Sequence, residues 1–238
     1  MAESPATRRD FLRRTSIGGA ALLMPVLAVG QEKAAPDKGK AKGDEGISPA
    51  EDLMREHGVL NRILLIYDAH LRMINAKQSF DGSVLVSAAD IIRHFVEEYH
   101  EKLEEDFLFP RFRKANKLVS LVDTLQTQHK AGRDLTAKIR ELAATATLKY
   151  VSTDSEKLAD ALRSFLRMYR PHEAREDTVL FPAFRTIVSA HEYDALGDDF
   201  EKKEDELFGD EGFFKVVDQV SQLEKKMGIY DLAQFTPK

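Results

Sequence analysis

Cysteine and tryptophan are absent from the 238-residue sequence, and glycine and proline are few, at 13 and 8 residues. Without cysteine the chain has no disulfide, no thiolate metal ligand and no thiol nucleophile. Any metal bound here must therefore be held by nitrogen and oxygen atoms. The scarcity of glycine and proline, with no alternating runs of β-branched residues, favours helices over strands.

An excess of positive charge is also missing, since the formal net charge is −5 at pH 7. This argues against a nucleic-acid partner. The sequence shows no glycine-rich phosphate loop and no Ser-His-Asp arrangement for nucleophilic catalysis. A hydrophobic content of 43% supports one domain of roughly 150 to 180 residues with appendages.

Residues 1–30 are typical of a targeting segment. The run from Thr7 to Arg13 resembles the twin-arginine export signature, and Ile17 to Gly30 is apolar but too short to span a bilayer comfortably. Ala28-Val29-Gly30 offers a cleavage site. We expect a periplasmic or otherwise extracytoplasmic protein with no stable membrane insertion after signal removal. A retained anchor or a basic amphipathic tail is the alternative. Residues 31–47, rich in Lys, Gly and Ala, predict a disordered linker.

Residues 48–186 carry four segments with apolar residues at helical spacing. They run from about Ser48 to Ala76, from Ser83 to Glu105, from Lys117 to Ala144, and from Thr153 past Glu176. Pro110 is expected to end the second helix and Pro171 to kink the fourth. Short loops between such helices predict an all-α, up-and-down antiparallel four-helix bundle.

Residues 187–238 are expected to form a helical extension and a tail. A short helical piece near Ala183 to Val188 precedes a fifth helix opened by Ser189, and a last helix lies near Glu211 to Lys226. The acids between Asp194 and Glu211 are typical of a solvated face. The bundle therefore gains one or two C-terminal helices, and residues 229–238 stay unassigned.

The second half of the bundle repeats the first after 72 residues. The repeated unit is a histidine, then a His-x-x-x-Glu motif, then a Leu-Phe-Pro box. The first copy has His57, His100, Glu104 and Leu108-Phe109-Pro110; the second has His129, His172, Glu176 and Leu180-Phe181-Pro182. A duplication that retains residues of metal-binding type is a stronger signal than any one of them alone.

These histidines and glutamates are expected to meet in the bundle core. Residues four apart share a helix face, so each His-x-x-x-Glu motif can grip one ion, and His57 and His129 lie on the apolar seams of the other two helices. Uncompensated burial of the two carboxylates would cost several kcal/mol at least, which two divalent cations would offset. Imidazole with hard oxygen suits iron or manganese, with zinc possible. A structural bundle with hydrogen-bonded histidines is the alternative.

The pattern resembles the hemerythrin-like, HHE cation-binding family over roughly residues 48–186. The resemblance implies two iron ions in a non-haem centre, bridged by carboxylates and an oxo or hydroxo group, that bind O2, peroxide or nitric oxide. Manganese and zinc are the alternative metals. The expected metal ligands are His57, His100, Glu104, His129, His172 and Glu176.

Two departures from the O2-carrying members of that family bear on function. Arg133 stands where those proteins place a second histidine of the third helix, and Asp177 occupies the place of their aspartate although the duplication favours Glu176. An open metal position suits redox chemistry or sensing better than reversible O2 carriage. Glu101 and Glu173 are alternative ligands, or else residues that face solvent or brace a ligand.

The remaining histidines, His70, His94 and His191, are not expected to bind metal. Tyr99 and Tyr169 are expected to pack in the core, with a hydrogen bond to a bound oxygen species as the alternative role. The first hypothesis is an exported di-iron protein that binds and reduces O2, peroxide or nitric oxide. The second is a non-enzymatic oxygen or iron sensor, or a metal-binding module, that acts through an unidentified protein partner. The sequence leaves catalytic turnover and the oligomeric state open.

Overall fold

The computed structural model describes residues 47–145, 153–209 and 211–237. The expected export signal and most of the expected linker lie outside these described residues. Within them every regular element is helical and no strand is present. No helix in the described ranges combines the length and apolar character needed to cross a membrane.

Six helices follow one another in the described ranges. They are α1 (Pro49–Asn75), α2 (residues 82–114), α3 (Val119–Thr145), α4 (residues 153–184), α5 (Ala190–Phe208) and α6 (Gly212–Met227), followed by a 3₁₀ turn at Leu232–Phe235. Helices α2 and α4 each contact both α1 and α3, which closes a four-helix ring, while α5 and α6 pack on α1. The predicted all-α bundle with two additional C-terminal helices is confirmed.

The buried face of each bundle helix is the apolar seam of the sequence. In α1 the Ser48 side chain caps the first turn by accepting from the Glu51 amide at 3.3 Å, and Pro49 follows at the first helical position. The seam of α3 is buried at Val122, Leu125, His129, Gly132, Thr136, Ile139 and Ala143. The histidines on α1 and α3 therefore point into the bundle, because they stand on the seams that the apolar residues bury.

Pro110 does not end the second helix, contrary to expectation. Helix α2 widens into a π-helical turn at Glu104–Leu108 and then continues as an α-helix over Phe109–Lys114. The Phe109 amide bonds the carbonyl of Glu104, five residues back, so Pro110 enters as a first-turn residue that needs no amide donor. The cost of a proline inside a helix, about 3 kcal/mol, is avoided by this change of hydrogen-bond register.

The second Leu-Phe-Pro box folds in the same way. A π-helical turn spans Glu176–Leu180, the Phe181 amide bonds the Glu176 carbonyl, and Pro182 follows in the α-helical segment Phe181–Phe184. The expected separate helical piece near Ala183 to Val188 is instead the end of α4, followed by a turn. Helix α4 also passes through Pro171 without interruption. In both halves the glutamate of the His-x-x-x-Glu motif is thus the first residue of a π turn.

Helix α5 begins at a capped residue, and polar contacts join the end of α6 to the bundle. Ser189 caps α5 as predicted, by accepting from the Glu192 amide at 3.2 Å. Arg62 of α1 donates from Nε to Glu224 of α6 at 2.9 Å, and Lys226 lies 2.6 Å from Asp81 at the start of α2. The extension therefore covers α1 and the N-terminal part of α2.

Close packing at Gly132 gives a test of the fold. A Cβ at this position would lie 2.0 Å from the hydroxyl oxygen of the buried Tyr169. We expect Gly132→Ala to lower the free energy of unfolding by roughly 1–3 kcal/mol. The matched control is Gly58→Ala in α1, where nothing lies within 4 Å, and it should be neutral or stabilise by up to about 1 kcal/mol. Urea unfolding of metal-free protein measures both, and equal effects would contradict the packing.

Candidate metal centre

Two carboxylates lie between four imidazoles at one level of the bundle core. Helix α1 contributes His57, α2 contributes His100 and Glu104, α3 contributes His129, and α4 contributes His172 and Glu176. None of the six residues is more than 4% exposed, and both glutamates are fully buried. All six predicted site residues are therefore brought together by the fold.

The inward-facing Nε2 atoms contact the two carboxylates. Glu176 Oε2 lies 3.2 Å from Nε2 of His172 and 3.4 Å from Nε2 of His57. Glu104 Oε2 lies 3.3 Å from Nε2 of His129 and 3.9 Å from Nε2 of His100. Each carboxylate thus touches histidines from both halves of the repeat.

The six residues divide into two overlapping groups, each able to surround one cation. In the first, ligand atoms of His57, His100, Glu104 and Glu176 all lie within 4.8 Å of one another. In the second, the same holds for His129, His172 and Glu176. We call these the His57–His100 position and the His129–His172 position. Glu176 belongs to both groups, so its carboxylate could bind a cation at either position.

The outward-facing Nδ1 atom of every one of these histidines has a side-chain oxygen as its partner. The pairs are His57 with Asp177 at 2.7 Å, His100 with Glu56 at 2.8 Å, His129 with Glu105 at 3.1 Å and His172 with Gln128 at 2.9 Å. Carboxylate and amide oxygens only accept, so each neutral imidazole carries its proton on Nδ1. The Nε2 lone pairs are then directed into the site, as metal binding requires.

The donor set fits divalent cations. Both carboxylate oxygens of Glu104, both of Glu176, and Nε2 of His129 are buried without a hydrogen-bond partner among the described residues. A buried polar atom without a partner costs about 1–3 kcal/mol, and more for a charged group. Cations bound to these atoms would remove that penalty. That these side chains bind metal stays a prediction.

Protonation of the metal-free site follows from burial and from these contacts. Burial and the charge of Glu176 hold the pKa of Glu104 well above its usual range. Burial acts the same way on Glu176, but His172 and His57 outweigh it and hold the Glu176 pKa well below its usual range. Burial lowers the pKa of His57, yet contacts with Asp177 and Glu176 raise it to about 10. The proton on His57 therefore balances the charge of Glu176 in the metal-free site at neutral pH.

Glu101 and Glu173 do not face solvent, which removes one of their expected roles. Glu101 is 1% exposed, accepts from the Tyr169 hydroxyl at 2.8 Å and pairs with Arg133 at 2.9 Å. Glu173 is 3% exposed and accepts from the Asn61 amide at 2.6 Å. Both glutamates brace the residues behind the site. Tyr169 has this polar contact in addition to its predicted core packing.

The other histidines lie outside the centre. His70 is buried and contacts the Ile66 carbonyl through Nδ1 at 2.9 Å, and burial lowers its pKa. His94 is exposed and contacts the Asp90 carbonyl at 2.8 Å, and His191 is exposed on α5. None of the three joins the groups of metal-ligand type found among the described residues.

The partners of the Nδ1 atoms were not identified from the sequence. Glu56 and Gln128 precede His57 and His129, while Glu105 and Asp177 follow Glu104 and Glu176. Both pairs share the 72-residue offset of the ligands. The shared offset could have identified these residues as equivalent in the two halves. It could not have shown which histidine each of them contacts.

Comparison with known proteins agrees with this geometry. The model of the hemerythrin HHE cation binding domain matches residues 48–184, and matches again over residues 120–226. Uncharacterized proteins of Mycobacterium tuberculosis and Mycobacterium bovis are 44% identical to this chain over 208 residues, covering 85% of it and 81% of the relative. No solved structure matches the chain.

Cation binding should release protons. Since the His57 pKa is raised to about 10, a cation at pH 8 must displace at least the proton between His57 and Glu176. Affinity should therefore rise with pH up to about 10. The same proton stabilises the metal-free fold fully below the unfolded pKa of 6.5, and that contribution is lost as pH rises through 10. Anaerobic calorimetric titration with Fe²⁺ in HEPES and in Tris measures the proton count, and equal heats in both buffers would contradict this.

Proposed function

The chain belongs to the hemerythrin HHE cation-binding family, and we propose that it holds two iron ions with which it binds and reduces O2, peroxide or nitric oxide. The observation that carries this proposal is the pair of buried carboxylates, Glu104 and Glu176, between two pairs of imidazoles. The two ligand groups share only Glu176, so one cation would leave at least two imidazoles of the site unused.

The choice of metal rests on the donor atoms. Imidazole nitrogen and carboxylate oxygen without thiolate suit iron and manganese, and they also accept zinc. Iron is favoured because bridging carboxylates on a helical bundle are typical of di-iron sites. Bound iron would supply exchangeable positions for a small ligand and electrons for its reduction.

The residues of the chain prepare the site for this chemistry. The Nδ1 contacts hold each imidazole in one orientation and one tautomer. Phe181 stacks on His57 and Phe109 on His129, with ring centroids 5.5 and 5.4 Å apart, so the Leu-Phe-Pro boxes provide apolar walls. The side chain of Arg133 pairs with Glu101 and Glu105 and cannot serve as a metal ligand. One ligand position would therefore be open to a small molecule.

A second candidate function is sensing through a protein partner. Its support is the face of α5 that points away from the bundle, where Asp194, Asp198, Asp199, Asp205 and Glu206 are exposed. Neither ligand group needs this face. A sensor would give stoichiometric adducts with nitric oxide or peroxide, whereas an enzyme would consume either ligand over many turnovers when a reductant is supplied.

Metal content tests the proposal. Anaerobically iron-loaded protein should contain two irons per chain and show the Mössbauer spectrum of an exchange-coupled pair. His100→Ala should lose most of its iron, while His94→Ala on the same helix should keep both, because His94 is exposed and contacts only a backbone carbonyl. An iron content unchanged in His100→Ala would exclude this site.

Removal of iron by a chelator should lower the melting temperature. One cation at 100 times its dissociation constant stabilises the folded chain by about 2.7 kcal/mol, which raises the melting temperature by roughly 5–10 °C for a domain of this size. A purely structural bundle would melt at the same temperature with and without chelator. His94→Ala should show the wild-type shift and His100→Ala little of it, which links the stabilisation to the proposed ligands.

We also propose that residues 1–30 direct export by the twin-arginine route. This route carries folded proteins, which suits a chain that must acquire metal before it leaves the cytoplasm. Replacement of both arginines, Arg8→Lys with Arg9→Lys, should stop accumulation outside the cytoplasm without changing iron content. Cell fractionation measures this, and unchanged export of the double variant would contradict it.

A further inference from the structure

The contacts around the two cation positions obey the same duplication as the ligands. Equivalent residues accept from equivalent histidines: Asp177 from His57, Glu105 from His129, Glu56 from His100 and Gln128 from His172. Residues 61 and 133 are equivalent too, and they contact the equivalent glutamates, Glu173 and Glu101. The two halves thus share one framework, and any difference in charge between them stands out.

The first difference is Glu56 against Gln128. The carboxylate behind His100 is 1% exposed, and the amide behind His172 has the same contact without the charge. Asp52 and Glu204 lie beside Glu56, with oxygens of all three within 4.8 Å of one another. Position 124, the equivalent of Asp52, is an exposed threonine. The His57–His100 position therefore has a carboxylate behind it where the other position has a neutral amide.

The second difference is Asn61 against Arg133. Arg133 lies 2.7 Å from the same Glu105 oxygen that accepts from His129, so a guanidinium opposes the carboxylate behind the His129–His172 position. Asn61 donates to Glu173 and brings no charge to the equivalent place. The second position therefore has one positive charge behind it, paired with Glu101 and Glu105, that the first position lacks.

Both differences favour a cation at the His57–His100 position over one at the His129–His172 position. A carboxylate one hydrogen bond behind an imidazole makes that imidazole a stronger ligand and adds a favourable field at the cation, while a guanidinium does the opposite. Two carboxylates, Glu56 and Asp177, stand behind the first position. At the second position only one carboxylate, Glu105, accepts from an imidazole, and Arg133 shares it. Glu101 also lies within 4.8 Å of His129 and Glu105 and pairs with Arg133, as its equivalent Glu173 pairs with Asn61. Asp177 is 35% exposed and therefore screened, so the buried Glu56 carries more of the difference.

We infer that the two positions are inequivalent: the His57–His100 position binds its cation more tightly and fills first, and the His129–His172 position fills second. This rests on the proposed function, because it requires two cations. Glu56, Gln128 and Arg133 are positioning residues that set the order of filling without touching either ion.

Anaerobic titration of the metal-free full chain with Fe²⁺, against a chelator of known affinity, tests the order. Wild-type protein should bind two ions in two resolved steps. Glu56→Gln should weaken the tighter step by roughly 10–100-fold, and its mirror image, Gln128→Glu, should tighten the weaker step by a similar factor. Both changes exchange residues of nearly the same shape. Arg133→Asn, which copies residue 61, should also tighten the weaker step.

Each result separates the two proposals. Two ions bound with equal affinity, or a Glu56→Gln variant whose weaker step alone is changed, would overturn the order of filling and leave the two-metal function standing. Failure of the wild-type chain to bind two ions would overturn both. Circular dichroism of each variant checks that it is folded. If Glu56 had only a structural role, Glu56→Gln would lower the melting temperature and leave the ratio of the two binding affinities unchanged.

Discussion

The cost of burying two carboxylates among four imidazoles governs this structure. Glu104 and Glu176 are fully buried, and their oxygens lie 3.2–3.9 Å from Nε2 atoms of the four imidazoles. Such a set is tolerable only where opposite charge is held at the same place, as protons in the metal-free chain or as cations in the loaded one. The opposite charges must lie at the same height along the bundle axis. This requirement fixes the register of all four helices relative to one another. The apolar seams bring the helices together, and the centre fixes where along their length they meet.

Much of this was predictable because the fold repeats itself. Apolar spacing located the four seams, and the shared offset identified six side chains that the structure brings together. The fate of Pro110 was not predictable from the rule that proline ends a helix, because that rule assumes hydrogen bonds to the fourth residue back. A π turn bonds the fifth residue back, and both boxes use it. The Nδ1 partners were missed for a related reason, since a contact between helices depends on their relative rotation.

The place of the missing imidazole is filled by a connected group of buried and half-buried polar residues. Arg133 pairs with Glu101 and Glu105, and Glu101 accepts from Tyr169. The Tyr169 hydroxyl fits only because Gly132, the residue before Arg133, has no side chain. Burial raises the pKa of Glu101 well above its usual range, and Arg133 offsets part of that effect. The arginine at this ligand position is therefore linked to four other residues on three helices, so replacement of Arg133 by histidine would disrupt those contacts.

A duplicated site constrains its parts unequally. Residues that touch a cation cannot differ between the copies without loss of a ligand, and here each His and Glu is matched by an identical partner. Residues one hydrogen bond further out need only accept from Nδ1, which glutamate, aspartate and glutamine all do. Charge can therefore change at those positions while geometry is kept. The pairs Glu56 with Gln128 and Asn61 with Arg133 follow from this freedom. A symmetric frame built from two copies can thus hold two positions that differ in charge while they share one geometry.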